Sequence, residues 1–175
     1  MAPEIRPAGP NDVEGAATVL AEATVWLQSK GIVQWPARFS SEFLLGCADR
    51  GELYVATAGG ETVGTVTLQW SDPNFWGDRA DAGFVHRLAV RRSQPGLGTT
   101  IMSWAEQQVT ERGRRFVCLD CLSDNVRLRR YYEELGFRAV GEIAGPAGHP
   151  TDPRLGRWRA ALYEKEVGAQ PGPAT

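Results

Sequence analysis

Residues 88–101, Leu-Ala-Val-Arg-Arg-Ser-Gln-Pro-Gly-Leu-Gly-Thr-Thr-Ile, run a strand into a glycine-rich turn and then into a helix. Gly96 and Gly98 let the backbone approach a ligand closely. The helix start offers unpaired N–H groups and about half a unit of positive charge. That combination suits a phosphate, and Arg91 and Arg92 add charge beside it. The same turn also serves plain helix packing, so alone it decides little. It matches neither common nucleotide loop: no Gly-Lys-Ser/Thr follows, and Ile101 stands where a third glycine would be needed.

Two residues before Leu88 stands His86, one of only two histidines. An imidazole changes charge near pH ~6.5, which suits it to take a proton at neutrality. Strand alternation puts His86, Leu88 and Val90 on one face. A hydrogen-bonded structural histidine is the competing role. Cys118 and Cys121 form a C-x-x-C spacing, but residues three apart on a strand face opposite sides. No second Cys/His pair follows at zinc-finger spacing, so two small core residues are expected and no metal site.

The elements that must position these groups alternate along the chain. A strand is expected over 3–9, then a helix capped by Asn11 and Glu14 in a capping box. Its Val13, Ala17, Leu20, Thr24 and Leu27 recur at helical spacing, and Gly31 ends it. A loop over 32–40 and a short helix over 41–49 follow. Strands over 52–58 and 62–70 flank Gly59-Gly60, a hairpin signal, and 71–80 reads as a polar loop. A strand over 81–90 leads through the glycine turn to a helix over 99–112, with Ile101, Met102, Ala105 and Val109 inward and Gly113 as its stop. A strand over 115–121, a helix over 126–135, and strands over 137–143 and 158–167 close the order. Hairpins with helical crossovers imply a mixed sheet with helices on both faces.

Bulk properties narrow the class. The 175 residues suit one domain, expected over 1–167, and the Pro-, Gly- and Ala-rich tail over 168–175 is expected to be disordered. Apolar residues make up 42%, enough for a core. A net charge of −2 argues against a nucleic-acid partner. No apolar run is long enough to span a membrane, the first residues lack a signal-peptide pattern, and three cysteines do not suggest a disulfide framework. A cytoplasmic protein is expected, with a homodimer left open.

Past the glycine turn comes Leu-Asp120-Cys-Leu-Ser-Asp-Asn125-Val-Arg-Leu-Arg-Arg-Tyr131-Tyr132-Glu-Glu-Leu-Gly136-Phe137. With this segment the sequence resembles the GNAT superfamily of acyl-CoA transferases. The family's pyrophosphate loop is [QR]-x-x-G-x-[GA], followed later by N-x(6)-Y-x-x-x-G-F. Ser93-Gln94-Pro95-Gly96-Leu97-Gly98 fits the first with Ser93 for Gln or Arg, in a loop that reads about two residues short. Asn125, Tyr132, Gly136 and Phe137 fit the second. The resemblance covers roughly residues 3–167. It implies the GNAT fold, an α/β (α+β) domain whose mixed, mostly antiparallel sheet of about seven strands is flanked by about four helices.

It also implies a reaction: transfer of an acetyl group from acetyl-CoA to a primary amine. The resemblance assigns cofactor binding to Leu88, Ala89, Val90, Gln94, Gly96, Leu97, Gly98, Thr99 and Asn125. Tyr132 matches the usual proton donor to the departing thiolate, although packing as a core aromatic is its alternative. A lysine-like amine must lose its proton against a pKa of about 10.4, which at pH 7 costs ~4.6 kcal/mol. His86 matches a histidine of the arylalkylamine branch and Asp120 a glutamate base of other members; an acid at a strand end is the alternative for Asp120.

Acceptors in the family enter over the first helices and the middle hairpin, where this chain holds several aromatics and the acids Asp72, Asp78 and Asp81. Trp35, Arg38, Trp70 and Trp76 are the expected acceptor-binding residues, through cation–π contact or charge pairing. A small-molecule amine is the expected acceptor. A protein N-terminus or lysine, a CoA-binding module without activity, and an unrelated nucleotide-binding protein are the alternatives.

Overall fold

The computed structural model describes residues 3–145 and 157–168. The expected tail therefore lies, apart from Gly168, outside the described residues.

The elements run β1 (Glu4–Pro7), a 3-10 turn (Pro10–Asp12), α1 (Val13–Ser29), α2 (Ser41–Asp49), β2 (Leu53–Ala58), β3 (Glu61–Gln69), α3 (Pro73–Trp76), β4 (Ala82–Val90), α4 (Leu97–Glu111), β5 (Phe116–Leu122), α5 (Val126–Glu134), β6 (Arg138–Gly145) and β7 (Trp158–Glu166). The seven strands form one sheet in the order β1-β2-β3-β4-β5-β7-β6. Only β4 and β5 pair parallel; the other neighbours are antiparallel. The sheet is thus mixed and mostly antiparallel, as expected.

Two details differ from the sequence reading. Asn11 does not cap α1; Asp12 instead accepts from the Gly9 N–H at 2.8 Å and closes the turn before the helix. The expected loop over 71–80 holds a fifth helix, α3, whose cap Asp72 accepts from the Phe75 N–H at 3.3 Å.

Two apolar layers sandwich the sheet. On one face α4 buries Leu97, Ile101, Met102, Ala105 and Val109 against Val66, Leu68, Val85, Val117 and Leu119. On the other α1 and α2 bury Val13, Ala16, Leu20, Leu44 and Cys47 against Leu53, Val55 and Ala89. The inward residues of α4 are those its helical spacing marks. Gly83 lets that helix sit close, since a Cβ there would lie 2.4 Å from Val109 Cγ2. Cys118 and Cys121 fall in different core clusters, as alternation requires, and burial pushes both thiols up to about 12. Among the described residues no helix is long and apolar enough to cross a membrane.

The site is made by two irregularities in β4. Thr65 pairs with Ala89 and Thr67 with His86, so β4 spends three residues where β3 spends two. This is a β-bulge, and Arg87 within it is the only described non-glycine residue with positive φ, 50°. Pairing of β4 with β5 runs from Ala82↔Phe116 to Val85↔Leu119 and stops there. Beyond that point the two strands part.

Candidate active site

Where β4 and β5 separate, a cleft of about 1400 Å³ opens. Its walls include residues 85–90 of β4 with Arg91 and Arg92 just beyond, the turn with Gln94, Gly96, Gly98 and Thr99, residues 120–122 of β5, and Asn125, Tyr131 and Tyr132. Residues 86–90 keep β3 on one side but, among the described residues, have no strand partner on the side of β5. Backbone groups of Leu88 and Val90 are therefore available along one wall, while those of Ala89 turn to Thr65 of β3.

At the end of that wall Gly96 takes φ 82° as the N-cap of α4, with no side-chain cap. This left-handed conformation is one that glycine adopts without penalty. Among the described residues the N–H groups of Gly98 and Thr99 meet no acceptor, and the first turn of a helix favours anions. Leu97 points its side chain into the core and is committed there. Arg91 does not contribute free charge, because Glu61 at 2.9 Å and Glu22 at 3.6 Å both pair with it. Arg92 lies over the Trp26 ring, 4.9 Å from its centroid. Asn125 caps α5 by accepting from the Leu128 N–H at 3.1 Å, so its side-chain oxygen serves the helix.

Tyr132 is buried at the cleft wall amid the rings of Tyr131, Phe137 and Tyr163. Burial, first of all, pushes its hydroxyl well above the ordinary tyrosine value. The group thus remains a hydrogen-bond donor and resists giving its proton away.

His86, Leu88 and Val90 do not share a face. The bulge turns Leu88 and Val90 into the core with Val85 under α4, while His86 continues the opposite face of Ala82 and Phe84. There His86 sits between two acids. Its Nε2 lies 3.2 Å from Asp72 Oδ2 and its Nδ1 lies 3.6 Å from Asp120 Oδ1. His86 Nε2 and Asp72 Oδ2 are buried without an aligned hydrogen bond. Burial raises the Asp120 carboxyl to about 6, Asp72 adds to the rise, and the charges of His86 and Arg87 offset part of it. One atom from each of Asp72, His86 and Asp120 lies within 4.8 Å of the others.

A smaller cavity of about 390 Å³ adjoins the cleft and shares His86, Arg87 and Phe75 with it. Pro36, Arg38, Phe39, Phe43, Cys47, Arg50, Gln69 and Asp72 also line it. Of the expected acceptor residues, Arg38 lines this cavity, though Glu14 pairs with it at the surface. Trp35 is buried on the wall of the main cleft, edge-on to Phe39. Trp70 and Trp76 line neither. Trp70 lies under the Arg112 and Arg114 guanidiniums, 4.3 and 5.2 Å from its centroid. Trp76 packs on Phe84 and Arg79 over the third core cluster. Asp72, one of the three acids expected on the acceptor side, lines this cavity beside His86, and Arg87 lines it without having been among the expected residues. The adjacent polar pair His86-Arg87 in a central strand was the available signal for the bulge.

The acetyltransferase (GNAT) family model matches residues 20–137, and the chain belongs to that family. The chain is 27% identical over 176 residues to the uncharacterized N-acetyltransferase YesJ of Bacillus subtilis, covering 94% of this chain and 90% of that protein. It is similar in fold to a GNAT-family acetyltransferase of Listeria monocytogenes, with a TM-score of 0.73, 22% identity and coverage of 95% and 98% of the two chains. The fold likewise matches yncA of Salmonella typhimurium, a structure with its cofactor acetyl-CoA, at TM-score 0.71 and 16% identity over 100% and 99%. The chain is an acyltransferase, with acetyl-CoA as co-substrate.

The residues present fit that co-substrate. A long cleft holds an unpaired strand edge along one wall and unsatisfied N–H groups at a helix start at its end.

Proposed function

We propose that the protein is an N-acetyltransferase acting on the primary amine of a small molecule, with both substrates bound together. The observation that carries this reading is the unpaired edge of residues 86–90 running to the N-terminus of α4. Acetyl-CoA supplies an acetyl thioester, whose carbonyl carbon bonds to the amine nitrogen as the carbon–sulfur bond breaks.

The chain's own groups divide the remaining work. The N–H groups of Gly98 and Thr99 hold phosphate oxygens, and Gln94 and Asn125 border the same cleft. Main-chain groups of Leu88 and Val90 align the pantetheine arm and offer an N–H to the carbonyl oxygen, with Ala89 holding the strand to β3 between them. His86 accepts the amine proton, with Asp72 and Asp120 stabilising the charge it gains. Tyr132 donates a hydrogen bond to the sulfur as negative charge develops there. Its raised pKa favours this over outright proton transfer.

Acetyl-CoA should raise the melting temperature of the native protein, and thiol release should appear with a panel of small amines. Gly98→Glu should abolish the thermal shift. A Cβ at Gly98 already lies 3.2 Å from Tyr131 Oη, and a carboxylate beyond it would oppose phosphate. An unchanged shift in that variant removes the loop from the site.

A further inference from the structure

Arg87 plays no part in the chemistry described so far, yet the fold holds it in an unfavourable backbone region. A non-glycine residue at φ 50° is uncommon, and such strain gathers at ligand clamps and active sites. The bulge that imposes it turns the consecutive residues His86 and Arg87 toward the same pair of cavities.

The guanidinium of Arg87 is the charged group of this region that has no acid of its own. Its Nε donates to Thr67 Oγ1 at 3.2 Å, and its carbon lies 5.1 Å from the centre of the Phe43 ring. Among the described residues no carboxylate pairs with it. Glu52, near enough for its charge to be felt, is bonded instead to Arg50 and Gln69, each at 3.0 Å. Arg38, on the same cavity, is paired with Glu14. Burial pushes the Arg87 guanidinium below its ordinary value. A half-buried arginine with a purely structural role would normally be paired. The planar fork of arginine is also suited to gripping a carboxylate through two parallel bonds.

The small cavity therefore carries two opposite demands on neighbouring walls. His86 and Asp72 present a proton acceptor and negative charge, Arg87 presents unpaired positive charge, and Phe39, Phe43 and Cys47 supply apolar lining. Its volume of about 390 Å³ suits a small molecule and not a folded partner. We propose that the acceptor is a free amino acid, or a close analogue with its carboxylate beside the reacting amine, and that Arg87 binds the carboxylate while His86 faces the nitrogen. This rests on the acetyl-transfer reading and names its substrate class.

The test compares the standard amino acids with their carboxamides as acceptors, by thiol release from acetyl-CoA. The amide of each pair lacks the charge but nearly keeps the shape. Its amine, without a neighbouring carboxylate, loses its proton more readily, so a preference for the acid has to come from recognition. The wild-type protein should favour the preferred acid over its amide by about ten- to hundredfold in kcat/KM, the worth of a hydrogen bond to a charged group. Arg87→Gln should bring that ratio to about one, acting mainly through KM, and Arg87→Lys should restore part of it. Both variants should keep the acetyl-CoA thermal shift. Preferred turnover of the amides, or a ratio unaltered by Arg87→Gln, overturns the carboxylate assignment and leaves acetyl transfer standing. If wild-type protein that binds acetyl-CoA acetylates neither member of any pair but does acetylate other small amines, the amino-acid assignment falls alone; if it acetylates no small amine of the wider panel, both readings fall.

Discussion

Asp72 Oδ2 lies 3.2 Å from His86 Nε2, joining the cap of a four-residue helix to the middle of the central sheet. Asp120 approaches the other ring nitrogen at 3.6 Å, just past the last paired residues of β4 and β5. An imidazole held between two carboxylates is well placed to take a proton and bear the charge.

The first consequence concerns pH and rate. Asp120, raised to about 6 by burial, gains a proton on the acid side and so loses the charge that supports a protonated imidazole. The acid limb of kcat/KM should therefore fall below about pH 6. His86→Ala should lower the rate at pH 7 by about 10²–10⁴-fold and recover much of it at alkaline pH, where the amine arrives neutral. A profile unchanged in shape by the substitution would return His86 to a structural role.

Asp120 should also cost the fold stability at neutral pH. Its carboxyl is raised from an ordinary 3.8 to about 6, so the folded state binds that proton more tightly than the unfolded state. Stability then falls as pH climbs between those values, and the cost is complete above the upper one. Asp120→Asn removes an acid that is ionised against burial. It should melt higher than wild type at pH 8, by roughly 3 kcal/mol at the transition, with the gap closing by about pH 4. Calorimetry at the two pH values decides it; an equal gap at both would refute the burial cost.

Tyr132→Phe keeps the ring packing of Tyr131, Phe137 and Tyr163 and removes only the hydroxyl. If that group acts on developing charge, kcat should drop while acetyl-CoA affinity holds. Steady-state kinetics beside a binding titration separate the two. Equal kcat in both proteins would leave the tyrosine a core residue.

Gly83→Val tests the seating of α4. A Cβ there would meet Val109 Cγ2 at 2.4 Å and Trp70 Cζ3 at 3.1 Å. Overpacking of this kind costs about 1–3 kcal/mol. Chemical denaturation should show the loss. Wild-type stability in the variant would mean that α4 shifts without cost.

Much of this was legible in the chain itself. Ile101, Met102, Ala105 and Val109 announced the buried face of α4 by spacing, and Gly59-Gly60 marked the turn between β2 and β3. Gly96 and Gly98 lie where the cleft meets the helix start. The bulge was hidden because Leu88-Ala89-Val90 alternates whether or not a residue is inserted before it. The apolar pattern gives the period but not the phase. Asp72 carried a local signal, an acid before Pro73 at a helix start, yet its contact with His86 joins residues 14 positions apart and has no local trace. Trp70 and Trp76 misled for a related reason. Large aromatics beside acids suit an amine pocket in composition, while here arginines and Phe84 occupy their faces.

The bulge also divides β4 into stretches that answer to different pressures. In the proposed arrangement the strand edge after the bulge meets the co-substrate through backbone alone, while the side chains of Leu88, Ala89 and Val90 pack in the core. In the same proposal His86 and Arg87 meet the acceptor through side chains. A substitution at Arg87 can thus alter which acceptors are admitted without moving the strand edge that aligns the thioester. On that arrangement, acceptor range is the property of this scaffold most open to change by single substitutions, in the laboratory or in descent, and acyl donor use the most conservative.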